Sequence, residues 1–205
     1  MALIRRELHT LAHFLPNGAL DPVLASLHQH GIHLKITRGR KSVLGDYRPA
    51  YKGQPHRISV NGDLNPYHFL VTFLHELAHL ETHIRFGRRV NPHGPEWQES
   101  FAKLLRDYLA LKLFPSDLEP VLQRSISRPA ASTCSDPVLY RALSAFNPPG
   151  GMVRVEDLAP GSHFRTERGQ HFTLIGKRRT RYLCHERGSG RGFLFPGIHE
   201  VYPEE

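Results

Sequence analysis

Thiols are scarce in this chain: Cys134 and Cys184, far apart, are the only two in 205 residues. That excludes a disulfide framework and favours a reducing compartment, so the expected location is the cytoplasm, nucleoid included. Long apolar runs are missing too. No window nears the roughly eighteen consecutive apolar residues of a membrane span, and Arg5, Arg6, Glu7, His9, His13 and Asp21 interrupt the first thirty positions, so neither a signal-peptide core nor a membrane partner is expected. Acidic side chains are the minority, 19 Asp and Glu against 27 Lys and Arg for a net +8. The excess is concentrated in residues 1–115, with 15 basic against 9 acidic side chains. Such a balance can draw phosphate backbones, and it serves solubility equally well.

Histidine, by contrast, is plentiful at 15 residues, and two of them organise the rest. Val71-Thr72-Phe73-Leu74-His75-Glu76-Leu77-Ala78-His79 contains His-Glu-x-x-His, which on a helix stacks both imidazoles on one face, about 6 Å apart along the axis. That spacing suits one Zn²⁺, with Glu76 beside the open coordination position, and so points to metal-assisted hydrolysis of a peptide bond. Asn65-Pro66 reads as an N-cap with proline at the first helical position, and Gly87 as the stop. Between them Leu70, Phe73, Leu74, Leu77, Leu80 and Ile84 keep the three-and-four spacing of a helix packed against a core.

A third protein ligand is needed if one position is to stay open for water. His83 lies eight residues beyond His75, about 12 Å along the axis, too far to share one ion with His75 and His79. Glu99 is a candidate by its distance down the chain. His93 is preferred over it: Asn91-Pro92-His93-Gly94-Pro95 is a tight turn opening a second helix, where proline and glycine fix the backbone that aims the ring. That helix is expected from about Pro95 to Phe114, with Trp97 packed behind His93 as an anchor rather than exposed to substrate.

His75-Glu76-Leu77-Ala78-His79 followed by His93-Gly94-Pro95-Glu96-Trp97 resembles the SprT-like (Spartan-related) zinc metalloprotease family. Leu44-Gly45-Asp46-Tyr47-Arg48-Pro49 and Ile58-Ser59-Val60-Asn61 resemble the paired strands that precede that family's metal helix. The resemblance spans about residues 5–115. It implies an α+β, zincin-like fold, one catalytic Zn²⁺ on His75, His79 and His93, and Glu76 as general base. The implied function is a zinc-dependent endopeptidase whose protein substrates extend to DNA-bound or DNA-crosslinked proteins, with DNA, single-stranded or crosslinked, as a partner.

Three regions are expected: the metalloprotease domain over 1–115, a linker with one short helix over 116–150, and a small antiparallel β module over 151–205. Ahead of the metal helix, residues 3–15 and a stretch capped by Asp21-Pro22 read as helices, and Ile32–Thr37 as a strand. Arg38, Arg40 and Lys41 form a basic turn after that strand, and Lys177, Arg178 and Arg179 a second one near Tyr182; both are candidate nucleic-acid contacts. SprT-like proteins commonly end in a zinc ribbon with two cysteine pairs. Those pairs are absent here, so no second zinc is expected. Tyr47 and Tyr51 remain open as donors to a developing oxyanion. The competing reading is a nucleic-acid adaptor whose metal only braces the fold, which would have no need of Glu76.

Overall fold

The computed structural model describes residues 10–40, 43–127, 136–148 and 150–204. It divides into two compact units, Met1–Asn147 and Pro148–Glu205. Most of the helix expected over 3–15 lies outside the described residues; Thr10 to Ala12 are helical.

The first unit mixes helices with a small sheet. Helix α1 (Leu20–Gln29) starts two residues earlier than a cap at Asp21 suggests. Its N-cap is Ala19, and Asp21 sits inside the first turn, where its charge favours the helix dipole, instead of capping it. Strands β1 (Ile32–Thr37), β2 (Gly45–Arg48) and β3 (His56–Asn61) form a sheet in the order β1-β3-β2. β1 runs parallel to β3 and β2 antiparallel to it, which leaves β2 on an edge. The sheet lies against α2 (Pro66–Phe86), the helix that carries the His-Glu-x-x-His pattern.

Helix α2 begins where Asn65 Oδ1 accepts the His68 N–H at 3.0 Å, with Pro66 next, and ends at Gly87, whose φ of +66° few other residues would adopt. It is buried almost all round. Phe69, Leu70, Phe73, Leu74, Leu77 and Leu80 pack with Ile58 and Val60 of β3 and with Phe101, Leu104 and Leu105 of α3 (Pro95–Ala110) in one core.

The stretch expected as a linker is in large part structured. Helix α4 (Glu119–Ser127) was not expected, whereas α5 (Pro137–Ser144), capped by Asp136, is the short helix expected there; Leu118 just before α4, Leu122 in it, and Leu139 and Leu143 of α5 join that same core. Asn65 Nδ2 donates to Leu143 O (2.8 Å) and to Asn147 Oδ1 (2.7 Å), tying α5 to the start of α2. The prolines and serines of 115–135 misled because Leu118 and Leu122 alone make no long periodic run.

The second unit is an antiparallel sheet of six strands: β4 (Val153–Arg154), β5 (His163–Arg165), β6 (His171–Arg178), β7 (Arg181–Glu186), β8 (Gly192–Pro196) and β9 (Glu200–Glu204), in the order β4-β9-β5-β6-β7-β8. Val155, Phe164, Phe172, Leu174, Cys184 and Val201 are its core. Cys184 is therefore a buried apolar side chain, its thiol pushed up to about 11 by burial. No helix among the described residues is long and apolar enough to cross a membrane.

Candidate metal centre

His75 and His79 project from one face of α2, their ring centroids 5.0 Å apart. His93 reaches them from the turn before α3. Its φ is +60°, the left-handed region that a non-glycine residue enters at some cost. The turn holds it there: Gly94 N–H donates to Asn91 O (3.0 Å) and Gln98 Nε2 to His93 O (3.1 Å). Pro95 then starts α3 with its φ already set.

The three Nε2 atoms converge. His93 Nε2 lies 3.0 Å from His79 Nε2 and 3.3 Å from His75 Nε2, and the three ligand atoms all fall within 4.8 Å of one another. Hydrogen bonding alone cannot account for this. One imidazole nitrogen offers either a single donor or a single acceptor, so His93 Nε2 cannot satisfy two other Nε2 atoms at once. Ligands about 2.0–2.1 Å from a tetrahedral centre would stand roughly 3.3–3.4 Å apart, close to what is seen. The donor set could hold a metal ion.

Burial prepares the rings for that role. It lowers His75 to about 3, with the neighbouring His79 and His93 adding to the effect, and lowers His79 to about 4. His93 is lowered by burial as well. All three are thus neutral at pH 7 with lone pairs available. Trp97, fully buried, forms the floor beneath them, its ring centroid 4.7, 5.3 and 4.8 Å from His75, His79 and His93. Phe101 stacks behind Trp97 at 5.1 Å.

Glu76 is buried beside the cluster, and burial, with Asp46 adding, raises its carboxyl to about 8 against the opposing pull of Arg40 and the Tyr47 backbone N–H. A cation a few ångströms away would return it toward the ionised form. Strand β2 lies directly over it. A Cβ on Gly45 would come within 2.6 Å of Glu76 Oε1 and 2.9 Å of Thr72 Cγ2, so only glycine lets the strand approach this closely. That contact was missed from sequence, although a glycine inside a strand is the signal that could have exposed it.

The remaining candidates are placed as follows. Glu99 is not among the converging ligands; with Glu81, Thr82 and Lys103 it lines a separate cavity of about 160 Å³ between α2 and α3. His83 packs near Tyr47 and His56 at ring distances of 6.0 and 6.3 Å. Tyr47 turns its hydroxyl to His56 Nδ1 at 3.0 Å, and Tyr51 is well exposed. Arg38 is exposed at the end of β1.

Arg40, expected as a phosphate contact, is engaged within the first unit. Its guanidinium points inward, donating to Asn61 Oδ1 (2.8 Å) and Ser59 Oγ (3.1 Å), while Asn61 Nδ2 donates back to the Arg40 and Val43 carbonyls. The pair fastens the loop that delivers β2 to Glu76. Lys41 lies outside the described residues. Lys177, Arg178 and Arg179 sit exposed at the β6–β7 turn of the second unit. Among the described residues no second group of ligating side chains converges.

With this geometry in hand, the similarities of the chain can be stated. Residues 27–112, somewhat under half of the chain and the part that holds every residue of the cluster, match the model of the SprT-like family. A stretch of 35 residues is 57% identical to Protein SprT of Pseudomonas fluorescens (strain SBW25), covering 17% of this chain and 21% of that protein. The match thus spans about a fifth of that relative's length. No solved structure gives a significant match.

Proposed function

We propose that this SprT-like region, residues 27–112, works as a zinc-dependent endopeptidase with a zincin-like active site. The observation that carries the reading is the convergence of three neutral Nε2 atoms next to a buried carboxylate under an edge strand. A zinc ion on His75, His79 and His93 would supply the Lewis acid that acidifies a water and polarises the scissile carbonyl.

The chain's own residues do the rest. Glu76 accepts the proton of the attacking water and hands it to the leaving amine, a role that suits a carboxyl poised near neutrality by burial. The Tyr47 N–H and the close approach of Gly45 hold that carboxylate in one position. Beyond β2 no further strand lies among the described residues, since the sheet order ends there. An extended peptide pairing with β2 would be read through its backbone and laid across the imidazoles. Trp97 and Phe101 keep the inner side of the cluster dry, which strengthens every charge interaction there.

DNA-bound proteins as the physiological substrates are a narrower proposal, supported by the basic excess of residues 1–115, 15 Lys and Arg against 9 Asp and Glu. The test of the whole reading is zinc content and casein cleavage for the unaltered protein and for Glu76→Gln. One tightly bound zinc in both, with cleavage lost by about 10²–10⁴-fold in the variant, is expected. Equal cleavage by both would sink the mechanism. Zinc in both with no cleavage in either would favour an adaptor braced by a structural metal, and addition of single-stranded DNA to the same assay tests the narrower proposal.

A further inference from the structure

The second unit carries its own asymmetry, independent of the metal centre. Between residues 171 and 196 there are six basic side chains and one acidic, Glu186, whereas the remainder of 150–205 holds three basic and six acidic. The cations cluster around β8, the last strand of the sheet order. Arg191 precedes that strand, Arg181 lies opposite its Pro196 end, and Lys177, Arg178 and Arg179 sit in the adjoining turn. These five are exposed, and none pairs with a carboxylate among the described residues.

β8 itself, Gly192-Phe193-Leu194-Phe195-Pro196, has no charge at all. Edge strands are usually protected by inward charges, bulges or a covering segment. Here Leu194 is 47% and Phe193 39% exposed, and Ile175, at the irregular step of β6, is 45% exposed. Glu186 N–H donates to Arg191 O at 2.9 Å. Antiparallel alternation from that pair turns the N–H and C=O of Gly192 and Leu194 away from β7, and no strand lies beyond them among the described residues.

From this we infer that β8 is a docking edge which takes an extended segment of a partner protein, apolar at some positions and acidic at others, as a seventh strand. The outward backbone groups supply the ladder. Phe193 and Leu194, on opposite faces, supply apolar contacts to alternate side chains, and the flanking cations select for carboxylates. Two other occupants fit this edge less well. A second copy would set the same cations against each other, and a nucleic acid would leave the backbone edge unused, while Phe193, leaning on Phe172 at 5.4 Å, offers no open stacking platform.

The experiment uses the full chain and fluorescein-labelled octapeptides read by anisotropy. An alternating Glu-Val peptide should bind saturably and weaken with salt, and an alternating Lys-Val peptide should not bind. Leu194→Pro deletes an outward N–H without removing a bond to β7, so it should weaken the Glu-Val peptide by at least about tenfold. The Glu-Val peptide N-methylated on alternate amides should lose the same factor against the unaltered chain, which keeps the test valid should the proline variant fail to fold. Absence of Glu-Val binding would overturn the proposal. So would binding of an oligothymidylate in its place, or a dimer of the unaltered chain that Leu194→Pro splits. Glu-Val binding should survive Gly45→Ala, which disturbs the proposed substrate strand β2 and leaves β8 untouched; its loss there would place the peptide on β2 and overturn the proposal.

Discussion

The two units place their polar groups in opposite ways. Of the ten buried polar or charged residues among the described positions, nine lie in the first unit, His68, Thr72, His75, Glu76 and Thr82 all on α2, and one, Thr166, in the second. Burying such groups costs stability unless each finds a partner. The first unit accepts that cost along one helix, as a site needing fixed, desolvated ligands must. The second keeps an apolar interior and carries its charge on the outside, so any role it has belongs to its surface. A site and a surface fail differently when altered, and that difference can be measured.

The largest effect should follow from His93→Ala. Its ring is the ligand that comes from outside α2, and without it two imidazoles remain on one helix face. Loss of outer partners of a metal site typically costs about 10–100-fold in affinity, so removing a ligand should cost at least about 100-fold and abolish cleavage. Zinc titration against a competing chelator, with circular dichroism as the control for folding, checks this. Retained affinity would mean that the convergence is not the metal centre. Charge reversal of Arg181 in the second unit should leave zinc affinity unchanged.

Next in size is a pH effect. His68 is 3% exposed, and burial lowers it to about 4. Above pH 6.5 neither the folded nor the unfolded form carries its proton. As the pH falls from 6.5 toward 4 the unfolded chain takes the proton and the folded one cannot, so stability drops, by on the order of 3 kcal/mol if the whole interval is crossed. Denaturant midpoints between pH 7 and pH 5 should show the fall, and His68→Leu should make it shallower by one histidine's share, leaving that of His75, His79 and His93. An unchanged slope in the variant would assign the loss to other groups.

Much of the candidate metal centre was legible in the sequence because it is local. His75, Glu76 and His79 lie within one turn and a half of helix, and His93 is fixed by its own turn, so spacing and turn chemistry were enough. The helix ends at Asn65 and Gly87 were legible for the same reason. What escaped was long-range. Arg40 looked like a solvated cation because nothing in Arg38-Gly39-Arg40-Lys41 shows that Asn61, twenty-one residues on, receives its guanidinium. Likewise α4 is held by burial in the core shared with α2 and α3, which no short window reveals. Cys184 carried no signal of its own: a lone cysteine reads the same whether it packs or ligates.

The finest comparison sets two strand glycines against each other. Gly45 in β2 and Gly176 in β6 look alike in sequence, but a Cβ at Gly45 meets Glu76 Oε1 at 2.6 Å and Glu76 Cγ at 2.7 Å, whereas a Cβ at Gly176 meets nothing within 4 Å. Gly45→Ala must therefore push β2 outward or turn the carboxylate aside, an overpacking cost of about 1–3 kcal/mol. Gly176→Ala should stay within about 0.5 kcal/mol of neutral, since the added methyl only replaces open space. Function should separate the pair further. A shift of β2 moves the paired substrate and the base together, so Gly45→Ala should lower kcat and raise KM while zinc content stays at one per chain. If Gly45→Ala lost stability but cleaved at the normal rate, the strand would be packing for its own sake. The close approach over Glu76 would then have no part in catalysis.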